Sequence, residues 1–482
     1  MVSEKKEQEL IAKTKKISVK EAAAYGAMDG FGSRYITPYA LSVGANNTQI
    51  GLLSSVPGLL GSLSQLFTIK LMRHFSRKSI IFWGVLVQAI MWLFLIAAGI
   101  PFFLLGVKTS FSPNAIIIIY TLLILVGAIG GPAWVSLMRD LVSENRGEYF
   151  GKRNKISGIV ALICMFVAGF LLDYFKQTHI FIGFAVLFFI AFLGRFISSL
   201  LIKKHYEPKF QVDDTKYFTL LDFVKKMRHN NFGRFVIYFS LMSFACTIAA
   251  PFFAVYLLKN LGLSYAQYMI TILASSVAII FLMPIWGKFA DIHGNLKVMK
   301  ITGLFIPLLP FLWLIIPFLP SSIIMWFIVV LEIFSGFVWS GFNLAAGNFI
   351  YDAVSKERLA ICSSYFNILN GFWALVGAVI GGYLSSHGVS VFGIHPILFL
   401  FILSGFARLA VYLIMSHRIK EVRVVKRFSS KRYLLLQYNK FSRGAVSLYT
   451  LIFGSISLGK FFESMVYESG HLISSNNFAK SN

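Results

Sequence analysis

The chain reads as an all-α integral membrane protein of about twelve transmembrane helices in two pseudo-symmetric six-helix bundles, and three observations predict it. First, 57% of the 482 residues are hydrophobic and only 13% are charged, more apolar surface than a soluble core could hide, so a bilayer must act as part of the solvent. Second, the apolar residues fall in runs of roughly 20 or more, the length that crosses a hydrocarbon layer at 1.5 Å per residue. Third, a polar block occurs twice: Asp140-Leu-Val-Ser143-Glu-Asn-Arg146 returns as Asp352-Ala-Val-Ser355-Lys-Glu-Arg358 at an offset of 212 residues, close to half of the apolar part of the chain. Parallel repeats with a site between them are a transporter architecture.

The expected spans lie near 21–44, 49–69, 79–105, 114–138, 153–175, 178–202, 233–258, 265–286, 297–318, 321–349, 360–385 and 395–416. One set of connections holds nearly all the basic residues: Lys5 to Lys20, Lys70 to Lys78, Arg139 to Lys155, Lys203 to Arg228, Lys288 to Lys300, Lys356 with Arg358, and the tail. The opposite set holds only Lys108, Lys176 and Lys259. Positive charge stays on the cytoplasmic side, so a multi-pass protein of the cell membrane with both termini cytoplasmic is expected, with an even number of spans. The same placement accounts for the net charge of +25: it orients the chain and meets anionic lipids at the cytoplasmic face, and no nucleic-acid partner is implied.

The domains expected are a cytoplasmic N-terminal segment, 1–20; a first bundle, 21–202; a linker, 203–231; a second bundle, 232–417; and a basic cytoplasmic tail, 418–482. In the linker Leu220, Phe223, Val224 and Met227 recur at helical spacing beside Lys225, Lys226 and Arg228, the pattern of an amphipathic helix on the inner membrane face or of a solvated loop. In the tail Gly444 to Leu458 is apolar but short and reads as interfacial. Cys164, Cys246 and Cys362 lie within apolar runs with no His at ligand spacing, so neither a disulfide framework, a metal site nor a cofactor is expected. The charged first 20 residues lack the form of a removable signal peptide.

Comparing the chain with itself separates what the repeated fold needs from what it does not share. Pro38 and Pro251, Asp140 and Asp352, Arg146 and Arg358, and the intramembrane Arg195 and Arg408 recur at offsets of 212 or 213 and read as structural. The two intramembrane arginines lie about 12 Å inside the basic ends of their helices and must find partners. Acidic groups or helix-end carbonyls of the cytoplasmic connections are expected, with Asp140 and Asp352 the nearest supply.

Three unshared charges remain: Asp29 and Arg34 in the first span and Glu332 in the tenth. Arg34 and Glu332 lie about 15 and 17 Å from the outer ends of their helices, near mid-membrane, where an ionisable group points to function. Asp29 and Arg34 are about 140° apart on an ideal helix, so they face one cavity only if the helix is distorted; Gly26, Gly30, Gly32 and Pro38 favour distortion. Glu332 or Asp29 is expected to carry a coupling proton and Arg34 to attract an anionic group or reset a carboxylate. An internal ion pair holding helices in register is the other reading. Among the amides and aromatics within spans, including Gln88 and Asn154, Asn343 and Trp339 are further candidates for the substrate path.

The connection after the eighth span reads Gly287-Lys-Phe-Ala-Asp291-Ile-His-Gly294-Asn-Leu-Lys297, which resembles the signature loop G-x-x-x-D-x-x-G-x-x-K of the major facilitator superfamily. The resemblance covers roughly residues 20 to 417. It implies that Asp291 caps or pairs with a neighbouring helix end when the cytoplasmic gate is shut, and that spans one, four, seven and ten line the cavity. The weaker copy expected after the second span keeps Arg73, Arg77 and Lys78 but lacks the acidic residue. The fifth span lacks the antiporter G-P-x-x-x-G run, and no E-x-x-E-R cluster of the peptide carriers occurs. The resulting expectation is a secondary transporter, symporter or antiporter, moving a small solute by alternating access, acting as a monomer and coupled to protons. The competing class is a non-transporting membrane protein such as a lipid scramblase or receptor. No enzyme is expected, since the chain has no phosphate loop, nucleophile elbow or H-E-x-x-H motif.

Overall fold

The computed structural model describes residues 4–142, 146–208, 219–355, 358–386 and 395–423. Among them are 11 helices long and apolar enough to cross a membrane. A twelfth span precedes these. It begins as the helix Glu4–Phe31, breaks at Gly32 into a 3₁₀ turn, Ser33–Tyr35, and resumes as Ile36–Ser42. Nothing in residues 4–25 interrupts a helix, so the first span projects as a charged helix well beyond the apolar run that marks it in the sequence.

Spans two to six are the helices Asn47–His74, Arg77–Phe103, Phe111–Leu141, Arg146–Lys176 and Ile180–Lys203. The second half opens with Asn231–Thr247, which continues after a turn at Pro251 as Phe252–Val255 and a π-helical turn, Tyr256–Asn260. Span eight is Tyr265–His293. Span nine is broken into Asn295–Phe305, Leu308–Leu312 and a 3₁₀ segment, Trp313–Phe318; Pro307 stands at the first break, and Pro310 and Pro317 lie within the pieces that follow it, each proline removing a helical donor. Spans ten to twelve are Ser321–Ala353, Leu359–Ser386 and Pro396–Met415. No strand occurs among the described residues.

The duplication seen in the sequence is repeated in the packing. Span 1 lies on 5 and 6 as span 7 lies on 11 and 12, and 3 lies on 4 as 9 lies on 10. Two seams join the halves, span 2 against 11 and span 5 against 8, which the repeat exchanges with one another. The 2/11 seam is made of backbone: a Cβ on Gly51 would stand 2.6 Å from the Ala378 carbonyl oxygen, and one on Gly382 would stand 2.9 Å from Thr48 Cα. Such close approach is how small residues bind helices in a bilayer.

Hydrogen bonds between described residues of the two halves gather at the end of the bundle opposite the chain's basic connections, here called the far end. Thr48 Oγ1 donates to the Gly382 carbonyl at 3.3 Å, and Asn47 Nδ2 to that of Ser385 at 3.5 Å. Lys259 Nζ reaches the Ala45 carbonyl at 3.2 Å. Asp173, at the end of span 5, accepts the backbone N–H groups of Tyr265 and Ala266 at 2.8 and 2.9 Å, capping span 8 across the seam. One hydrophobic core runs through both halves here, from Tyr35, Tyr39 and Phe184 to Phe252, Met269 and Phe401. At the basic end a separate core of Ile81, Val85, Leu137 and Met138 belongs to the first half alone.

A short helix, Leu220–Lys226, lies in the linker; Phe223 and Met227 are buried, with Phe223 against Phe232 and Tyr365, while Leu221 and Val224 are exposed. Residues 209–218 and the apolar stretch 444–458 lie outside the described residues.

Candidate functional site

Asp29 and Arg34 form an ion pair, with Arg34 Nη2 at 3.2 Å and Nε at 3.3 Å from the same oxygen, Oδ2, of Asp29. The break at Gly32 makes this possible. A Cβ on Gly32 would stand 2.5 Å from the ring of Trp92, so the chain turns there against span 3, and the 3₁₀ turn swings Arg34 onto the side of Asp29. The pair lines a cavity of about 370 Å³ together with Asn154, Ser157, Gly158, Ala161 and Leu162 of span 5 and Ser276, Ile279 and Ile280 of span 8. Those positions fall at spacings of three and four, one face of each helix. Gly30 sets the depth of span 1 against span 5: a Cβ on it would stand 2.5 Å from the Ala161 carbonyl.

Glu332 does not line this cavity. It stands on span 10 with Ser275 of span 8 as its side-chain hydrogen-bonding neighbour, one residue from the lining Ser276. Gly336, a turn along, lets span 10 approach so closely that a Cβ there would be 2.5 Å from the Ser275 carbonyl. Tyr268 of span 8 lies within electrostatic reach of both Glu332 and Arg34, and Tyr120 of span 4 within reach of Asp29 and Arg34. Trp339, edge-on to Phe342 at 5.8 Å, and exposed Asn343 lie further toward the basic end and outside the cavity.

Arg195 and Arg408 require correction. Neither turns to Asp140 or Asp352. Arg195 donates to Gln88 Oε1, at 2.9 Å from Nε, and stands 3.9 Å from Glu21; its guanidinium also covers the Tyr25 ring. Glu21 is itself buried, bound by Arg153 at 2.6 Å and Ser198 at 2.7 Å. Arg408 is held by Ser404 Oγ at 3.0 Å and by the carbonyls of Ile306 and Cys246 at 3.3 and 3.4 Å. Pro310 has no N–H to give the Ile306 carbonyl, while the Cys246 carbonyl, at the turn of span 7, also accepts the N–H groups of Ala249 and Ala250; the broken helices thus supply inside the bundle what was expected from its connections.

Asp140 and Asp352 serve the basic end instead. Asp140 pairs with the buried Arg77 at 2.6 Å. Glu207, just after span 6, caps the start of span 3 by accepting the N–H of Arg77 at 2.8 Å. In the second half Asp352 takes Arg423 at 2.8 Å and Asn295 Nδ2 at 2.7 Å, and Glu421, just after span 12, caps span 9 through the N–H of Leu296 at 2.8 Å. Each half thus ties spans 3, 4 and 6, or 9, 10 and 12, with two carboxylates and an arginine.

Within the signature loop, Gly294 has φ +88° and turns the chain from span 8 into span 9, a conformation that suits glycine. Exposed Asp291 stands 3.8 Å from Arg423. Lys297 follows in the first turn of span 9, and Gly287 packs loosely beside Leu344. Arg358 is exposed; the side chain of Arg146 lies outside the described residues.

The family model of the Major Facilitator Superfamily matches residues 22–253 and 232–472. The chain belongs to the major facilitator superfamily. Solved members share its fold. The nucleoside transporter NupG superposes with a TM-score of 0.62 at 16% identity over 85% of this chain and 100% of that one. A bacterial homologue of the iron transporter ferroportin gives 0.61 at 12%, covering 84% and 99%, and a bacterial homologue of the human lysosomal transporter Spinster gives 0.57 at 13%, covering 87% and 98%. A search by sequence among curated proteins finds no match. At such identities the likeness carries the superfamily fold and no substrate. Sequence reasoning missed Glu21, Asp173, Glu207 and Glu421. All four stand at the margins of apolar runs, where a charge reads as a boundary marker.

Proposed function

We propose that this member of the major facilitator superfamily is a secondary transporter that moves a small solute by alternating access. The basic end is cytoplasmic, Asp29 and Arg34 meet the solute, and Glu332 carries a coupling proton. One observation carries the reading: the cavity is walled by spans 1 and 5 of one half and span 8 of the other, while the bonds joining the halves gather at the far end. A solute held there touches both halves, so rocking them about it changes the side to which it is exposed. The charge asymmetry of the connections supports the orientation. Glu332 suits proton carriage because it sits beside the cavity without a basic partner among the described residues, so protonation costs it no ion pair.

The test is reconstitution in liposomes loaded with a pH-sensitive dye and presented with sugars, amino acids, organic acids and cationic drugs. Solute-driven proton movement is expected in the wild type. Glu332→Gln is expected to abolish it while preserving exchange of labelled for unlabelled solute. Proton movement that survives in the variant removes Glu332 from the coupling step, and flux of lipid alone replaces the transporter with a scramblase.

A further inference from the structure

The charges of the cavity restrict what can enter it. Among the described residues that line it, Asp29 and Arg34 are the only ionisable ones, one of each sign. Both bonds of the pair converge on Asp29 Oδ2, so Asp29 Oδ1 and Arg34 Nη1 have no partner among the described residues. The free acceptor and the free donor therefore belong to groups already in contact, the free donor on the edge of the guanidinium away from the carboxylate. Arg34 is 47% exposed and Asp29 22%, so the free atoms are reachable from the cavity. Asn154, Ser157 and Ser276 add neutral polar groups, and Ala161, Leu162, Ile279 and Ile280 give an aliphatic wall. The space would hold on the order of a dozen waters.

A simple anion drawn to Arg34 would meet Asp29 beside it, and a simple cation drawn to Asp29 would meet Arg34. Either would leave one net charge uncompensated when the halves close over the solute, which is the expensive case. A ligand with both charges leaves none. We infer that the cavity binds a small zwitterion of the α-amino acid class, its carboxylate on Arg34, its ammonium on Asp29 and an aliphatic side chain against Ile279 and Ile280. This rests on the transport reading above. The contact of the two side-chain charges, 3.2 Å apart, favours a ligand whose own two charges are close, which α-amino acids satisfy and γ-amino acids do not unless folded.

The experiment measures binding to purified full-length protein of leucine, of its deaminated counterpart 4-methylpentanoate and of its decarboxylated counterpart 3-methylbutylamine. Leucine exchange is followed in liposomes. Leucine is expected to bind at least about tenfold more tightly than either counterpart, each of which forgoes one charge-assisted contact. Arg34→Gln should weaken leucine and 4-methylpentanoate and spare the amine. Asp29→Asn should weaken leucine and the amine and spare the acid. A purely structural pair would lower all three together in both variants, and that result overturns the inference. So does a counterpart that binds as well as leucine. Leucine that fails to bind also overturns it: if the same liposomes exchange another solute, transport stands and only the zwitterion falls; if they exchange none, both fall.

Discussion

Removing the Asp173 carboxylate should open the far end. Asp173 accepts two backbone N–H groups, from Tyr265 and Ala266, and thereby ties span 5 to span 8. Span 8 does not depend on it for its own integrity. Ser264 caps the same helix from within, its hydroxyl accepting from the N–H of Gln267 while the Gln267 side chain accepts from the Ser264 N–H. The substitution therefore breaks the tie between halves and leaves the helix start closed. Hydrogen bonds to a charged group contribute about 1.5–3 kcal/mol each. The carboxylate is half-buried, so the low end applies, and Asp173→Ala should cost the closed far end about 3 kcal/mol, roughly a hundredfold in the closed-to-open ratio. Asp173→Asn keeps one acceptor and should cost about half, roughly tenfold. Spin labels at Gln177→Cys and Leu263→Cys, in a background with Cys164, Cys246 and Cys362 replaced, would report the gap between spans 5 and 8. The expected result is a population at longer distance that grows from wild type through Asn to Ala. An unchanged distribution in Asp173→Ala would show that the far end is held by its apolar core, and the argument from the carboxylate would fail.

Three further outcomes are expected. Arg77→Ala leaves Asp140 and Glu207 without the buried guanidinium that joins them; thermal unfolding in detergent should show a loss of about 3 kcal/mol, with Arg77→Lys intermediate. Burial holds the His205 imidazole down at about 4, against a partial rise from Glu21, with Arg153 and Lys78 lowering it further. Its unfolded form thus binds more protons between about 4 and 6.5, so stability should fall by up to about 3 kcal/mol as pH drops through that window. Neither ring nitrogen has a hydrogen-bond partner among the described residues, so His205→Leu should flatten this acid sensitivity without loss at pH 7, as unfolding curves at several pH values will show. Gly51→Val places carbon where the Ala378 carbonyl stands; it should destabilise the 2/11 seam by about 1–3 kcal/mol and raise the reactivity of a far-end cysteine toward an impermeant maleimide.

The spans were legible because hydropathy and length are local properties, and the repeat because Asp140 and Asp352 sit in matching words. The ion pair of the cavity was half legible: Gly32 announced a break, but a 140° separation does not say in which sense the break turns. The partners of Arg195 and Arg408 were not legible. Gln88 lies 107 residues from Arg195, and Ile306 lies 102 from Arg408; only the assembled bundle selects them. Asp173 was hidden for another reason, since a carboxylate that caps a distant helix through backbone N–H groups leaves no complementary side chain to find.

The two seams differ in how they can change over evolutionary time. The 2/11 seam rests on glycine and backbone contacts, so substitutions there mostly damage registry and will be purged. The 5/8 seam also has a close glycine, Gly169, where a Cβ would stand 3.1 Å from Ala266 Cα, but it adds one carboxylate, whose removal leaves both helices intact. A lineage adapting to another solute concentration could therefore retune how long the protein dwells facing each side by drifting at position 173, without disturbing the pivot about which it turns.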